Sequence, residues 1–255
     1  MRKRLPAASL AALALALLLA AGQALAGPSI DPKAEAVLRA MVANLQGVNA
    51  FSVTEASLVD RVFPNGQKVA FFHKTTIKAE RPDKLRAEAA GDDVSGLWLL
   101  NGPSLTLYDA RTKAYVVLDV PPRLEQALGQ ALAKLRLVGP MVDFLADDPY
   151  KSIMDGVLEA VYVGQSEVGG KPCHHLAFRQ LTRDFELWID AGKTPWPLRL
   201  AVTDKTLHGD PRTLVEYADW KPVSGFSAKT FAWTPPKDAN RVAVAPHKPA
   251  PAAKP

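Results

Sequence analysis

The feature that most restricts how this chain can fold is a long succession of short apolar segments punctuated by turns. From Phe51 onward, stretches 51–61, 67–79, 84–90, 96–101, 104–109 and 113–119 are mostly rich in β-branched or aromatic residues. Between them lie Pro64-Asn65-Gly66, Arg81-Pro82-Asp83, Gly91-Asp92, Asn101-Gly102 and Asp109-Ala110-Arg111, all turn chemistry. A second series runs through 157–164, 173–180, 184–190, 197–204, 212–221 and a last piece near 229–233. Its dividers are Gly169-Gly170, Thr182-Arg183, Gly192-Lys193 and Gly209-Asp210. Within 67–79, Val69, Phe71, His73 and Ile77 share one face, and Lys68, Phe72, Lys74, Thr76 and Lys78 share the other. Such alternation predicts antiparallel strands with one covered face.

Helical spacing occurs in only a few places. Asp31-Pro32 reads as an N-cap with proline at the first helical position, and Ala34, Val37, Leu38, Met41, Val42 and Leu45 then recur at three- and four-residue intervals up to Gly47. Pro121-Pro122 ends the first strand series. Leu124, Ala127, Leu128, Ala131, Leu132 and Leu135 predict a second amphipathic helix, closed by Gly139-Pro140. Met141 to Ala146 and Pro149 to Met154 read as two short helical pieces flanking Asp147-Asp148. The expected class is α+β: one large, strongly curved antiparallel sheet with helices packed on one side. A sheet of this many strands curls, and curling creates a concave face.

The termini read differently. Met1-Arg2-Lys3-Arg4, the Ala/Leu-rich stretch Ala7–Ala21 and the small-x-small site Ala24-Leu25-Ala26 together read as a cleavable secretory signal peptide over residues 1–26, against the alternative of an uncleaved N-terminal anchor. No Cys follows the apolar run to accept a lipid, and no second segment is long enough to span a bilayer. Residues 27–243 are read as a single domain. Residues 244–255, Pro/Ala/Lys-rich, cannot bury a core and are read as a disordered tail. Without Arg2, Lys3 and Arg4, the 31 basic residues become 28 against 26 acidic. That near-balance removes the electrostatic case for nucleic acid. Cys173 is the only cysteine, so no intramolecular disulfide is available.

Catalytic and metal-binding patterns are scarce. There is no G-x-S-x-G elbow, no C-x-x-C or H-E-x-x-H spacing and no phosphate-cradling loop. Cys173, His174 and His175 form the most suggestive cluster. On a strand, however, Cys173 and His175 share a face while His174 points away, so the expected reading is a buried cysteine with ordinary strand histidines. Asp92-Asp93 and Asp147-Asp148 lie at turns, where adjacent acids are solvated or cap helices. No catalytic residue, metal or cofactor is therefore expected. What remains is apolar: Phe51, Val53, Val69, Phe71, Ile77, Leu85, Leu97, Leu99, Leu105, Leu107, Tyr115, Val117, Leu176, Phe178, Leu187 and Trp188 either line a concave cavity or fill a core beneath the helices.

Several stretches, taken in order, carry a family resemblance. They are Asp31-Pro32…Leu38…Met41…Leu45, Asn65-Gly66-Gln67-Lys68, Arg81-Pro82-Asp83-Lys84-Leu85-Arg86, Asn101 to Asp109 and Asp119-Val120-Pro121-Pro122. Gly170 to Arg179, Asp184 to Ile189 and Pro197-Leu198-Arg199 complete the series. The chain resembles the DUF2092 family of predicted periplasmic proteins, similar in turn to the LolA/LolB lipoprotein-carrier superfamily. It departs from the family pattern at Leu100-Asn101-Gly102, where an aromatic and an aspartate are expected, and at Phe185-Glu186, where Trp-Gln is expected. The resemblance implies a half-open barrel of about eleven strands, with helices forming a lid over an apolar cavity. It implies a periplasmic, non-enzymatic carrier of a lipid or lipoprotein acyl chain, released by a shift of the 117–155 helical region. The alternative is a sensor or protein-interaction module of the same fold, with an envelope protein as partner. Arg81, near the implied cavity mouth, and Arg86 are candidates for binding a head group or holding the lid, against a solvated role. A soluble monomer, at most peripheral to a membrane, is the expected state.

Overall fold

The computed structural model describes residues 27–135 and 141–243 of the 255. The expected signal peptide and the Pro/Ala/Lys tail lie outside the described residues.

Two antiparallel meanders make one sheet. The first comprises β2 (Ala50–Val62), β3 (Lys68–Glu80), β4 (Lys84–Gly91), β5 (Ser95–Asn101), β6 (Ser104–Asp109) and β7 (Ala114–Asp119). The second comprises β8 (Glu159–Val168), β9 (Lys171–Arg179), β10 (Arg183–Asp190), β11 (Pro197–Asp204) and β12 (Arg212–Val223). They join where β12 pairs with β2, with Tyr217 opposite Glu55 and Val215 opposite Ser57. These eleven strands are flanked by two strands of two residues each, β1 (Ser29–Ile30) and β13 (Asn240–Arg241), which pair in parallel with β8 and β7. The order is β1-β8-β9-β10-β11-β12-β2-β3-β4-β5-β6-β7-β13, and the two ends do not meet, so the sheet is open. The expected strand near 229–233 is instead a 3-10 turn, Ala228–Phe231.

Helix α1 (Pro32–Gln46) begins as the sequence implies. Asp31 is extended at φ −64°, and its carboxylate accepts the backbone N–H of Lys33 at 2.7 Å, satisfying an otherwise orphaned donor. Ala34, Leu38, Met41, Val42 and Leu45 form its buried stripe. Between β7 and β8 lie α2 (Leu124–Leu135), α3 (Val142–Leu145) and α4 (Pro149–Met154). Asp148 caps α4 by accepting from Lys151 N, and Asp147 pairs with Arg123 at 2.8 Å, so the acidic turn splits into a cap and a surface ion pair.

The cross-strand register identifies the two faces. Val53, Ile77, Ala87, Trp98, Leu107 and Val116 are successive partners across β2 to β7, and Val215, Leu200, Leu187 and Leu176 across β12 to β9. This is the concave face, where the main core gathers beneath α1 to α4. The opposite, convex face carries two smaller clusters. In one, Leu97 and Leu99 pack beneath Phe231, with Tyr108, Phe226 and Trp233 around them. In the other, Val168, Cys173, Trp188, Leu198 and Ala201 are packed together.

Candidate functional site

A cavity of about 910 Å³ lies between the concave face and helices α2 and α3. That is at the upper end of the range of about 300–1,000 Å³ typical of small-molecule sites. Its existence follows from residue size. At the centre of the sheet the inward positions are Ser57, Thr75, Ala87, Ala89 and Thr213, side chains too short to reach the helices. Further along the second meander, the inward positions are Phe178, Phe185 and Leu187, which fill the space instead; Phe178 and Phe185 stack at 4.5 Å. Ile77, Leu85, Trp98 and Val202 complete the apolar floor, and Leu128, Leu132, Met141, Val142 and Leu145 form the roof. Exposed Arg61, Thr182, Thr206 and Leu207 mark the end that meets solvent.

Polar chemistry divides between mouth and interior. At the mouth, Asp93 pairs with Arg61 at 2.6 Å and with His73 at 2.5 Å. Burial pushes the Asp93 carboxyl up, but the hydrogen bonds from His73 and Arg61 outweigh it and hold the group below the usual aspartate range. Deeper, Glu55 is only 8% exposed, and no hydrogen bond from a described residue acts on its carboxyl. Burial alone raises its carboxyl to about 7. Opposite Glu55, the Tyr217 hydroxyl is also buried without a partner, and burial raises it far above the ordinary tyrosine value.

Arg81 ties the roof to the sheet. Its guanidinium donates to the carbonyls of Phe144 at 3.0 Å, Leu145 at 2.9 Å and Ala146 at 3.2 Å, the end of α3 where helix carbonyls lack intrahelical partners. Burial pulls the Arg81 pKa down, but an arginine stays charged at any ordinary pH. Of the alternatives open for Arg81, the structure puts it in contact with the helical cover. Arg86 is elsewhere. It projects from the convex face, pairs with Glu88 at 2.6 Å, and donates to the carbonyls of Thr230 and Ala232 in the C-terminal segment. Arg86 is thus not at the cavity, because the period of two sends Leu85 inward and Arg86 outward.

The apolar candidates divide the same way. Ile77 and Leu85 line the cavity. Phe51, Val53, Leu105, Leu107, Leu176, Phe178 and Leu187 lie on the concave face within the packed core. Val69 and Phe71 share that face but are only half-buried, toward the outer end of β3. Leu97, Leu99, Tyr115, Val117 and Trp188 face the other way. Leu97, Leu99 and Tyr115 pack against the C-terminal segment, Tyr115 edge-on to Trp233 at 5.6 Å. Val117 is on the face of Thr106, its partner in β6, and Trp188 stacks on His175 at 4.1 Å. The correction is one of parity: β5 to β7 and β10 are apolar on both faces because both are covered, so composition gave no sign of which face was inward.

Several cavity residues are invisible to a reading that follows large apolar side chains. Glu55, Ser57, Thr75, Ala87, Ala89 and Thr213 are polar or small. The available signal was parity: continuing inward from Phe51 and Val53 reaches Glu55 and Ser57. The Cys173 cluster splits by face. Cys173 is buried, and burial raises its thiol; His175 bonds Glu186 at 2.8 Å and His174 bonds the Tyr162 hydroxyl at 3.0 Å. The family departures are accommodated locally. Leu100 is buried in the core, Asn101 donates to Phe231 O, and Glu186 bridges His175 and Arg212. No group of three or more potential metal ligands occurs among the described residues, and no described helix is long and apolar enough to cross a membrane.

Similar architectures occur in solved structures of low sequence identity. An uncharacterised conserved protein of Thermus thermophilus is 15% identical, with a TM-score of 0.48 over 82% of this chain and 98% of that one. A LolA-superfamily protein of Nitrosomonas europaea is 12% identical, with a TM-score of 0.38 over 78% and 97%. The Mycobacterium tuberculosis lipoprotein LppX is 10% identical, with a TM-score of 0.43 over 76% and 98%. No curated protein matches the sequence. The model of the family described as predicted periplasmic proteins matches residues 34–245, most of the chain and all of the cavity, and the chain belongs to this family, DUF2092.

Proposed function

We propose that this chain is an exported, periplasmic, non-enzymatic binding or carrier protein that holds an apolar ligand, a lipid or lipoprotein acyl chain, in the cavity beneath α2 and α3. The observation that carries this reading is the cavity itself: about 910 Å³ with an apolar floor and roof and one end open to solvent. Well-packed interiors leave few voids larger than a water, so a space of this size is a feature for a ligand to fill. An alkyl chain entering it gains about 0.8 kcal/mol per methylene removed from water, before the costs of association.

The test is to secrete the protein into a bacterial periplasm, purify it without detergent, and combine native mass spectrometry with organic extraction. A lipid bound at near-stoichiometric amount is the expected result. A clean apo mass that persists after incubation with envelope lipids would refute the carrier reading. A protein-contact role is the second reading. It is favoured by Leu58 and Phe72, cross-strand partners on the convex face that are 44% and 45% exposed.

A further inference from the structure

Resting on the cavity reading above, we infer that the ligand is an amphiphile with an apolar body that presents a hydrogen-bond donor, a hydroxyl or ammonium group, to the Glu55 carboxyl. Glu55 belongs to the inward row of β2, between Val53 and Ser57, and forms part of the cavity wall. It is more than nine-tenths buried, and no hydrogen bond from a described residue acts on its carboxyl. Buried polar groups in folded proteins are almost always satisfied, and a carboxyl is among the costliest to leave alone. The Tyr217 hydroxyl directly across β12 is orphaned as well. A carboxyl with no donor among the described residues, in the buried part of the cavity wall, and an orphaned hydroxyl on the adjacent strand mark where a ligand's polar atom belongs.

The surrounding charges explain why Glu55 is left for the ligand. Asp60 and Arg61 lie on its own strand, His73 on β3, Asp93 in the turn after β4, Arg183 on β10 and Asp204 on β11. Arg61 and His73 are both engaged by Asp93, while Arg183 bonds Gln180 and, at 3.5 Å, Asp143 of α3. Tyr217 adds no positive charge, the described roof residues that line the cavity are apolar, and Asp143 on the same helix as Val142 and Leu145 adds only negative charge. With no cation among the described residues contributing, burial raises the Glu55 carboxyl to about 7. Near neutral pH it therefore accepts from a hydroxyl in either state, and from an ammonium most strongly when ionised. An anionic group at the same depth meets like charge and is disfavoured.

The experiment uses the exported protein stripped of lipid and loaded with N-phenyl-1-naphthylamine, a neutral fluorescent probe of apolar sites. Dodecylamine, dodecanol and dodecanoate, which share one apolar body, then compete for it. At about pH 8 the amine and the alcohol displace the probe at roughly tenfold lower concentration than dodecanoate, and the amine's advantage shrinks at about pH 5, where Glu55 is protonated. Glu55→Gln removes the amine preference and keeps that for the alcohol. Glu55→Leu removes both while the probe still binds. Probe binding with no ranking of the three competitors, or the same ranking in Glu55→Leu, overturns this inference alone. Failure of the probe to bind at all overturns the cavity reading with it.

Discussion

Replacing Glu55 by glutamine should stabilise the unliganded protein at neutral and alkaline pH and leave it nearly unchanged in acid. The side chain is 8% exposed, and burial raises its carboxyl from 4.5 to about 7. A group whose folded pKa is raised holds more protons in the folded than the unfolded state across that interval. Stability therefore falls as pH climbs from 4.5 towards 7, and the penalty is complete above it. At about 1.4 kcal/mol per pKa unit, the full penalty is about 3 kcal/mol. Glutamine keeps the shape and a polar head but cannot ionise, so it escapes only the charge term. Urea unfolding of both proteins at several pH values reads the effect directly. The stability difference should be close to zero near pH 4.5, open between pH 4.5 and about 7 in favour of glutamine, and stay flat above. A constant difference would refute the reasoning by showing an unshifted carboxyl, and a wild type that gains on glutamine with rising pH would refute it by showing a stabilised carboxylate.

Two further substitutions test the assigned faces. Arg81→Ala removes the guanidinium from three carbonyls at the end of α3; the expected cost is about 2 kcal/mol. Hydrogen exchange should accelerate selectively in residues 141–146, and uniform acceleration across the sheet would contradict the tether. Phe231→Ala empties the convex-face cluster over Leu97 and Leu99 at an expected cost of about 3–5 kcal/mol. Probe affinity in the cavity should be unchanged, whereas a large loss of affinity would place Phe231 on the wrong face.

The fold was legible in the sequence because its signals are local. Asp31-Pro32 and Asp148-Pro149 start helices through their own side chains, and the turn residues divide β2 to β12 near their observed limits. The end strands β1 and β13 leave no mark in the sequence because two residues carry no period. The piece near 229–233 misled because Phe231 and Trp233 are apolar for packing on the sheet, not for pairing in it. Which face is inward is a tertiary property. On β3, lysines mark the outer face and leave Ile77 on the inner one; on β5, Leu97 and Trp98 are both apolar and nothing local separates them.

Arg81 and Arg86 show how that parity separates covering from function. Five residues apart, they clamp two different covers: Arg81 holds α3 over the concave face, and Arg86 holds the Thr230 and Ala232 carbonyls over the convex one. The clamps are alike in chemistry, yet only one encloses a chamber. Beneath the convex cover, Phe231 reaches large leucines and the space closes. Beneath the concave cover, the sheet presents Ser57, Thr75, Ala87, Ala89 and Thr213, and the space stays open. The cavity is therefore written as much by small side chains at inward positions as by the helices above it. For the same reason Glu55 stands out: among those short neighbours it is the long ionisable group in the buried part of the wall, where every added interaction is strengthened by the exclusion of water.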